Sequence, residues 1–243
     1  MSASTVRDLI LGFDTSTDRT TVAVTDRSGE EFSASDHSPA DGERPAHASD
    51  LLPAVERCVE TAGGWQRIAR IGIGIGPGSY TGLRVGVATG RALAQATGVE
   101  VAAVSTLDVL AEGTRGLPEA EGRSRVAVLD ARRHQAFVAL FASDGSLILP
   151  ATCVEPEEFG RIVALVPDAP LAVGDGSLRF RSELESAGAE VAGSESTAHS
   201  IDARHVCRLA TEAEAAPFDA IEPIYLREPD AKRWIERDTG KAG

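Results

Sequence analysis

The stretch IGIGIGPGSYTGLRVGVATGRALAQATG, residues 71–98, decides the fold. Its first six residues alternate isoleucine with glycine, and this period of two predicts a β-strand with one bulky face and one bare face. Pro77 and Gly78 favour a tight turn, Ser79 is suited to cap a helix, and the apolar run that follows predicts a long helix ending at Gly98. The bare strand face allows another element to pack closely against it.

Three glycines, Gly82, Gly86 and Gly90, recur at four-residue spacing inside this helix. Each costs about 1 kcal/mol of helix stability relative to alanine, so close packing must offset roughly 3 kcal/mol. The spacing places them on one ridge, where a second element can approach closely. Because most of the helix circumference is apolar or small, we interpret the helix as packing against a second protein as well as its own sheet. A core helix in a large fold is the alternative.

Charge and composition exclude several classes of protein. The 243 residues include 24 Lys and Arg against 37 Asp and Glu, a formal net charge of -13. The chain alone is therefore a poor binder of nucleic acid, which requires cations against phosphate. Three widely separated cysteines argue against a disulfide framework or a zinc site and for a reducing compartment. Without a signal peptide or an apolar run of 18 residues, we expect a soluble cytoplasmic protein that does not enter a membrane.

The remaining patterns repeat one order of elements in two halves. The first half predicts strands at 9–13, 20–25, 31–35, 71–76 and 99–104, with helices at 46–62 and 79–97. The second half predicts a helix starting at 106, strands at 126–130, 135–141, 147–152 and 171–173, and helices at 156–166, 178–187 and 201–215.

Two β-β-β-α-β-α halves predict the duplicated, ribonuclease-H-like α/β architecture of actin and the sugar kinases. We divide the chain into an N-terminal actin-like domain at 1–105, a C-terminal actin-like domain at 106–220 and a charged tail at 221–243.

Several motifs, in this order and spacing, resemble the TsaB family, formerly called YeaZ. They are FDTST at 13–17, HASDLLP up to Pro53, GPGSYTGLRVG at 76–86, DARR at 130–133 and PIYLREPDA at 223–231. The resemblance implies a two-domain actin-like (ASKHA) fold. It also implies a subunit of the bacterial complex that transfers threonylcarbamoyl to the tRNA adenosine next to the anticodon.

The same resemblance implies the partners. A TsaD-type subunit holds the metal and performs the transfer, a TsaE-type ATPase joins the complex, and the chain forms a homodimer when alone. It reaches tRNA only through the complex. The implied docking helices are 46–62 and 79–97, and Arg84 or Arg91 is expected to pair with a partner carboxylate. The expected interface residues are Leu51, Leu52, Val55, Tyr80, Leu83, Arg84, Gly86, Val87, Gly90 and Arg91.

The chain offers weak candidates for nucleotide chemistry. Asp14 ends the first strand, where actin-like kinases keep an acidic residue near metal and nucleotide, but it is also suited to cap the turn that follows. The second half carries bulky DARR where a phosphate-binding turn needs glycine. Candidate nucleotide- or anion-binding residues are Asp14, Thr15, Ser16, Asp130, Arg132, Arg133, Gly174 and Gly176. We expect no cofactor on the isolated chain, and an adenine nucleotide with Mg²⁺ only at a boundary within the complex.

No catalytic residue is assigned. His47 is followed four residues later by Leu51 and not by the second histidine that a helical metal site needs. The sequence around Ser79 is not a nucleophile elbow, which argues against a peptidase. The resemblance implies a subunit that is not the catalyst, so we expect a non-catalytic scaffold or activator subunit without activity alone. An ATPase or phosphotransferase using Asp14 is the alternative.

Overall fold

The computed structural model describes residues 7–40 and 42–227. Its first half begins with the three antiparallel strands β1 (Leu9–Asp14), β2 (Thr20–Asp26) and β3 (Glu31–His37). Next come α1 (His47–Thr61), β4 (Ile68–Gly74), α2 (Tyr80–Thr97) and β5 (Glu100–Val104). The strands form one sheet in the order β3-β2-β1-β4-β5, in which β4 is parallel to β1 and to β5.

The second half repeats this plan. After α3 (Thr106–Glu112) come β6 (Arg125–Asp130), β7 (Ala136–Phe141), β8 (Leu147–Val154), α4 (Phe159–Val163) and β9 (Leu171–Val173). They are followed by α5 (Asp175–Arg179), α6 (Arg181–Ser186), β10 (Glu190–Val191) and α7 (Ala203–Glu212). The second sheet has the order β10-β9-β6-β7-β8, so each strand matches one of the first sheet. The predicted duplication is confirmed.

Sequence and structure differ mainly in the helices of the second half. The helix predicted at 178–187 is two short helices, α5 and α6, separated at Phe180. The Phe180 ring is buried edge-on against Phe159, with ring centroids 5.9 Å apart, and the chain bends to place it there. Strand β10 has two residues, too few to leave a pattern in the sequence.

Helix α2 carries the predicted caps but not the predicted glycine surface. Ser79 Oγ accepts a hydrogen bond from the Gly82 amide at 3.3 Å, and Gly98 ends the helix in the left-handed conformation. The glycines, however, face inward. A Cβ on Gly86 would lie 2.5 Å from Thr15 Oγ1, and one on Gly90 would overlap the Ile73 side chain. The interpretation of this ridge as a surface for a second protein is therefore wrong, because residues of the same chain cover it. That another side of the helix packs against a second protein stays a prediction.

The bare face of the central strands is covered by α7. A Cβ on Gly72 would lie 2.7 Å from Ala210 Cβ, and a Cβ on Gly12 would lie 2.7 Å from Cys207 Sγ. The predicted close approach to this face is confirmed, and the element that approaches is the last helix of the chain.

The elements stack in layers. Helices α1 and α2 cover the outer face of the first sheet, α3 and α7 lie between the sheets, and α4, α5 and α6 cover the second sheet from outside. Because α7 packs on the first sheet, its packing favours counting this helix with the first half; the division at residue 105 stays a prediction. No helix in residues 7–40 and 42–227 has the length and apolarity needed to cross a bilayer.

Candidate functional site

Two equivalent loops of the two halves meet at a cleft of about 540 Å³. One loop follows β1 and contributes residues 16–18, and the other follows β6 and contributes residues 130–133. They meet because β1 and β6 are the central strands of their sheets. The start of α2 at residues 78–81 and the C-terminal segment at 224–227 complete the lining.

Asp14 lies behind this cleft and is almost fully buried, at 1 % exposure. Its Oδ1 accepts hydrogen bonds from the amide and the hydroxyl of Ser16, both at 2.6 Å. Its Oδ2 accepts from Thr106 Oγ1 at 3.1 Å. Burial raises the pKa of Asp14, and the hydrogen bonds from Ser16 and Thr106 oppose that rise. The carboxylate therefore ties the turn after β1 to the first residue of α3.

This arrangement does not fit a magnesium site at Asp14. Mg²⁺ requires near-octahedral oxygen ligands and keeps several waters, so its carboxylate ligand must face open space. Both Asp14 oxygens are engaged by protein donors, and the side chain packs against Gly74. Within residues 7–40 and 42–227, no group of three or more His, Cys, Asp or Glu side chains is arranged to hold a metal ion. We derive no chemistry through such an ion.

His47 is also an interior residue. Its side chain is 5 % exposed, its Nδ1 lies 2.8 Å from Thr20 Oγ1, and burial lowers its pKa. Its Nε2 has no hydrogen-bond partner among the described residues. The contact with Thr20 fixes the start of α1 to β2.

The loop after β6 brings two arginines to the cleft. Arg132, Arg133 and His134 have φ values of 62°, 52° and 62°. A non-glycine residue in this left-handed region costs about 1 kcal/mol or more. The loop is held by Arg132 N, which donates to Asp130 Oδ1 at 2.8 Å. Arg132 also reaches Asp18 of the first half, with Nη2 and Oδ2 3.4 Å apart.

The glycines of the predicted GDG turn do not line the cleft. A Cβ on Gly174 would collide with Val128 O, and one on Gly176 would lie 2.7 Å from the Leu129 carbonyl carbon. Both positions need glycine because the backbone of β6 packs directly against them. Their assignment as ligand contacts is therefore corrected. Asp175 between them does line the cleft, and burial raises the pKa of its carboxyl. Thr15 is likewise interior, donating from Oγ1 to Gly82 O at 2.8 Å.

The C-terminal segment at 221–227 runs along the cleft and joins the halves. Ile224 N donates to Ile75 O at 2.7 Å, and Arg227 Nη1 donates to Ala131 O at 2.6 Å. The Tyr225 ring lies on Tyr80, with centroids 5.1 Å apart. Sequence reasoning missed Tyr225 as a cleft residue, although the specific PIYLR motif was a signal. The rest of the predicted tail, 228–243, lies outside the described residues.

The predicted interface residues divide into buried and exposed groups. Leu51, Val55, Leu83, Gly86, Val87 and Gly90 belong to the interior, so their assignment as direct partner contacts is corrected. Leu52 and Tyr80 are 45 % and 43 % exposed, Arg84 is exposed and Arg91 is partly buried. The Arg84 guanidinium lies 5.4 Å from the Tyr80 ring centroid. We define the outer α1/α2 face as Leu52, Tyr80, Arg84, Ala88, Arg91 and Ala92, all at least partly exposed.

Comparisons with known proteins agree with this fold. A family model described as "TsaD: tRNA N6-adenosine threonylcarbamoyltransferase" matches residues 38–170, more than half of the chain. The Bacillus subtilis protein named "tRNA threonylcarbamoyladenosine biosynthesis protein TsaB" is 28 % identical over 200 residues, covering 78 % of this chain and 84 % of the relative.

Solved structures extend the comparison. YeaZ from Pseudomonas aeruginosa aligns with a TM-score of 0.72 at 26 % identity, over 90 % of this chain and 100 % of that one. A ROK family protein from Streptococcus pneumoniae aligns with a TM-score of 0.50 at 12 % identity, over 84 % of this chain and 98 % of that one, and supports the fold alone. With the duplicated actin-like architecture, the family model and these relatives in agreement, the chain belongs to the TsaB (YeaZ-type) family.

Proposed function

We propose that this chain works in the biosynthesis of tRNA threonylcarbamoyladenosine as a non-catalytic subunit. In this proposal it docks through the outer α1/α2 face onto a TsaD-type catalytic subunit and holds that subunit in a competent arrangement. The printed name of the Bacillus subtilis relative supports the pathway. The match to the TsaD family model supports a related fold in the partner.

The observation that supports this docking surface is the composition of the outer α1/α2 face. Leu52 and Tyr80 are exposed although both are large and partly apolar, and Ala88 and Ala92 expose small side chains between charged ones. Tyrosine and arginine are enriched at the energetic centres of protein interfaces, while small residues allow a close approach. Among the described residues no carboxylate pairs with Arg84, which leaves its charge available to a partner.

The state of Asp14 supports a non-catalytic role. The alternative function, an ATPase or phosphotransferase, needs this carboxylate open to a metal-nucleotide, and protein donors occupy it. A net charge of -13 supports contact with tRNA through other subunits. The proposal includes a TsaE-type ATPase in the complex, an adenine nucleotide with Mg²⁺ at a boundary between subunits, and self-pairing through the same face when the chain is alone.

The test compares two leucines of similar exposure. Leu52→Asp changes the outer α1/α2 face, whereas Leu165→Asp changes a leucine that is 53 % exposed in the second half. Binding to a TsaD-type subunit is measured by calorimetry, and tRNA modification is measured in a reconstituted reaction. We expect Leu52→Asp to weaken binding by about tenfold or more and to reduce modification, with Leu165→Asp unchanged. Unchanged affinity in a folded Leu52→Asp protein contradicts the surface, and transfer by the chain alone contradicts the non-catalytic role.

A further inference from the structure

We propose that the C-terminal segment at 221–227 is a strap that restrains the angle between the two halves and links that angle to the outer α1/α2 face. A partner that binds this face then stiffens the loop after β6 in the second half. The link to the face rests on the function proposed above, whereas the restraint between the halves does not.

The first part of the strap is anchored to the first half. Ile221 is 2 % exposed and belongs to the core between the first sheet and its outer helices. Ile224 N donates to Ile75 O at 2.7 Å, directly after β4. A Cβ on Gly76 would lie 3.2 Å from Ile224 O, so the two backbones are in close contact. The strap therefore moves with the first half as far as Ile224.

The end of the strap reaches the second half. Arg227 Nη1 donates to Ala131 O at 2.6 Å, in the loop after β6. The Ala131 amide closes the same loop by donating to Gln135 O at 3.0 Å. Leu226 is half-buried and packs against the core cluster between the two sheets. A segment anchored to one half thus holds the backbone of the other through a charge-assisted hydrogen bond, which is stronger than a neutral one.

The two halves meet in the layer of α3 and α7 and again across the cleft. In the layer, buried side chains of both sheets, among them Ile10 and Leu129, belong to one cluster. Across the cleft, the contact between Arg132 Nη2 and Asp18 Oδ2 is long at 3.4 Å, and 67 % and 59 % of these side chains are exposed. Exposed ion pairs of this kind contribute little stability. Rotation of the halves about the packed layer changes the width of the cleft, and the strap limits this rotation.

Tyr225 connects the strap to the outer α1/α2 face. Its ring lies on Tyr80, with centroids 5.1 Å apart, and the Tyr80 hydroxyl accepts from Arg84 Nη1 at 3.3 Å. Both tyrosines are more than 40 % exposed. A partner that covers Tyr80 and Arg84 therefore restricts the Tyr225 ring, two residues before Arg227. This restriction favours the attached state of Arg227, and by linkage an attached strap favours partner binding to the same extent.

The first experiment measures the restraint in the isolated full-length chain. Spin labels at Ala88→Cys on α2 and Arg161→Cys on α4 report the distance between the halves by double electron–electron resonance, since both positions are exposed. Cys153→Ser removes the partly exposed native cysteine, and the other two cysteines are buried. Hydrogen exchange of residues 130–135 is measured in the chain without labels.

Arg227 variants locate the restraint. Arg227→Gln is too short to reach Ala131 O, so we expect a broader distance distribution and about tenfold faster exchange of residues 130–135. Arg227→Lys keeps a long cationic donor and should have the smaller effect. Arg57→Gln is the control because Arg57 Nη2 lies 3.1 Å from His37 Nε2 within the first half, and it should change neither measurement. Thermal melts confirm that each variant is folded.

The second experiment adds a TsaD-type subunit to the unlabelled chain. We expect binding to slow the exchange of residues 130–135 by about fivefold in the natural protein, and Tyr225→Ala to remove this slowing at saturating subunit. Folded Arg227→Gln and Arg227→Lys proteins that match the Arg57→Gln control in both measurements would overturn the strap. Equal slowing in Tyr225→Ala and the natural protein would overturn the link through Tyr225. If the subunit does not bind, the function proposed above fails, and the first experiment still decides whether the strap restrains the halves.

Discussion

Thr15 Oγ1 donates a hydrogen bond to the Gly82 carbonyl oxygen at 2.8 Å, and the same hydroxyl fills the space beside Gly86. One side chain thus joins the turn after β1 to the first turns of α2. Gly82 and Gly86 are required by this contact inside the chain. The exposed residues of the same helix remain available to a partner.

Replacing Gly86 should therefore reduce stability before it affects any interface. A Cβ at this position would lie 2.5 Å from Thr15 Oγ1. We expect Gly86→Ala to lower the free energy of unfolding by about 1–3 kcal/mol, and Gly86→Leu by more, measured by urea denaturation. Ala88→Leu, on the exposed side of α2, is the control and should change stability by less than about 0.5 kcal/mol. A stable, folded Gly86→Leu protein is incompatible with this packing.

The arginines of the outer α1/α2 face should act on partner binding and not on stability. We expect the double variant Arg84→Glu, Arg91→Glu to weaken binding to a TsaD-type subunit by about tenfold, with a smaller loss at high salt. Arg161→Glu is the matched control because its side chain is exposed in the second half. Surface plasmon resonance at two salt concentrations measures both effects. If the double variant binds as tightly as the control, neither arginine belongs to the interface.

Because the Asp14 carboxyl is buried, we expect it to give the protein an unusual pH dependence of stability. Burial raises the pKa of its carboxyl in the folded protein above the ordinary value of 3.8. Its contribution to stability is therefore full below pH 3.8 and is lost as the pH rises through the folded pKa. Asp14→Asn removes this titration and keeps an acceptor for Ser16 N. The Tm of Asp14→Asn relative to the natural protein should rise as the pH increases from below 3.8; a constant difference across this range would contradict the burial of a titrating Asp14.

For Glu112, which lies in the layer between the sheets, we expect the opposite pH dependence of stability. Its side chain is 8 % exposed; it accepts from Arg115 Nε at 2.6 Å and pairs with Arg208 on α7. Although burial opposes the shift, the hydrogen bonds from Arg115 and Arg208 lower the pKa of Glu112 below 4.5. The contribution of Glu112 to folding stability is present above pH 4.5 and is lost as the pH falls through the lowered pKa.

We expect Glu112→Gln to cost about 2 kcal/mol at neutral pH, because it leaves two arginines without a shared carboxylate. Glu212→Gln removes an exposed carboxylate that also pairs with Arg208, at 2.9 Å, and should cost less than about 0.5 kcal/mol. Urea denaturation of both variants decides the comparison. Equal losses of unfolding free energy in the two variants would show that the buried position of Glu112 adds nothing to stability.

The sequence predicts where α2 begins and ends, but it does not predict which elements pack against the helix. The cap at Ser79 and the end at Gly98 depend on neighbouring residues, so a pattern along the chain reveals them. The spacing of Gly82, Gly86 and Gly90 shows that something packs closely, but the contact with Thr15 is 67 residues away and leaves no mark at the glycines. A ridge of small residues has the same appearance whether its own chain or another protein covers it.

The same limit applies to the cleft: the sequence indicates the segments that line it, but not the distant contacts that hold them. In the sequence, the turn at residues 14–17 and the DARR segment are candidates because actin-like proteins bind metal and phosphate at these two turns. In the structure, residues 16–17 and 130–133 line the cleft. That Asp14 is closed depends on Thr106, 92 residues away. The loop at Arg132 is held in part by Arg227, whose Nη1 donates to Ala131 O from 96 residues along the chain. Neither follows from local propensity.

The return of α7 to the first sheet has a consequence for synthesis on the ribosome. Residues 9–104 supply all five strands of that sheet, yet the helix that covers Gly12 and Gly72 is translated only at residues 203–212. Until then, one side of an otherwise finished sheet is open to water or to a chaperone. The nascent chain must therefore have emerged as far as residue 212 before its earliest strands are covered.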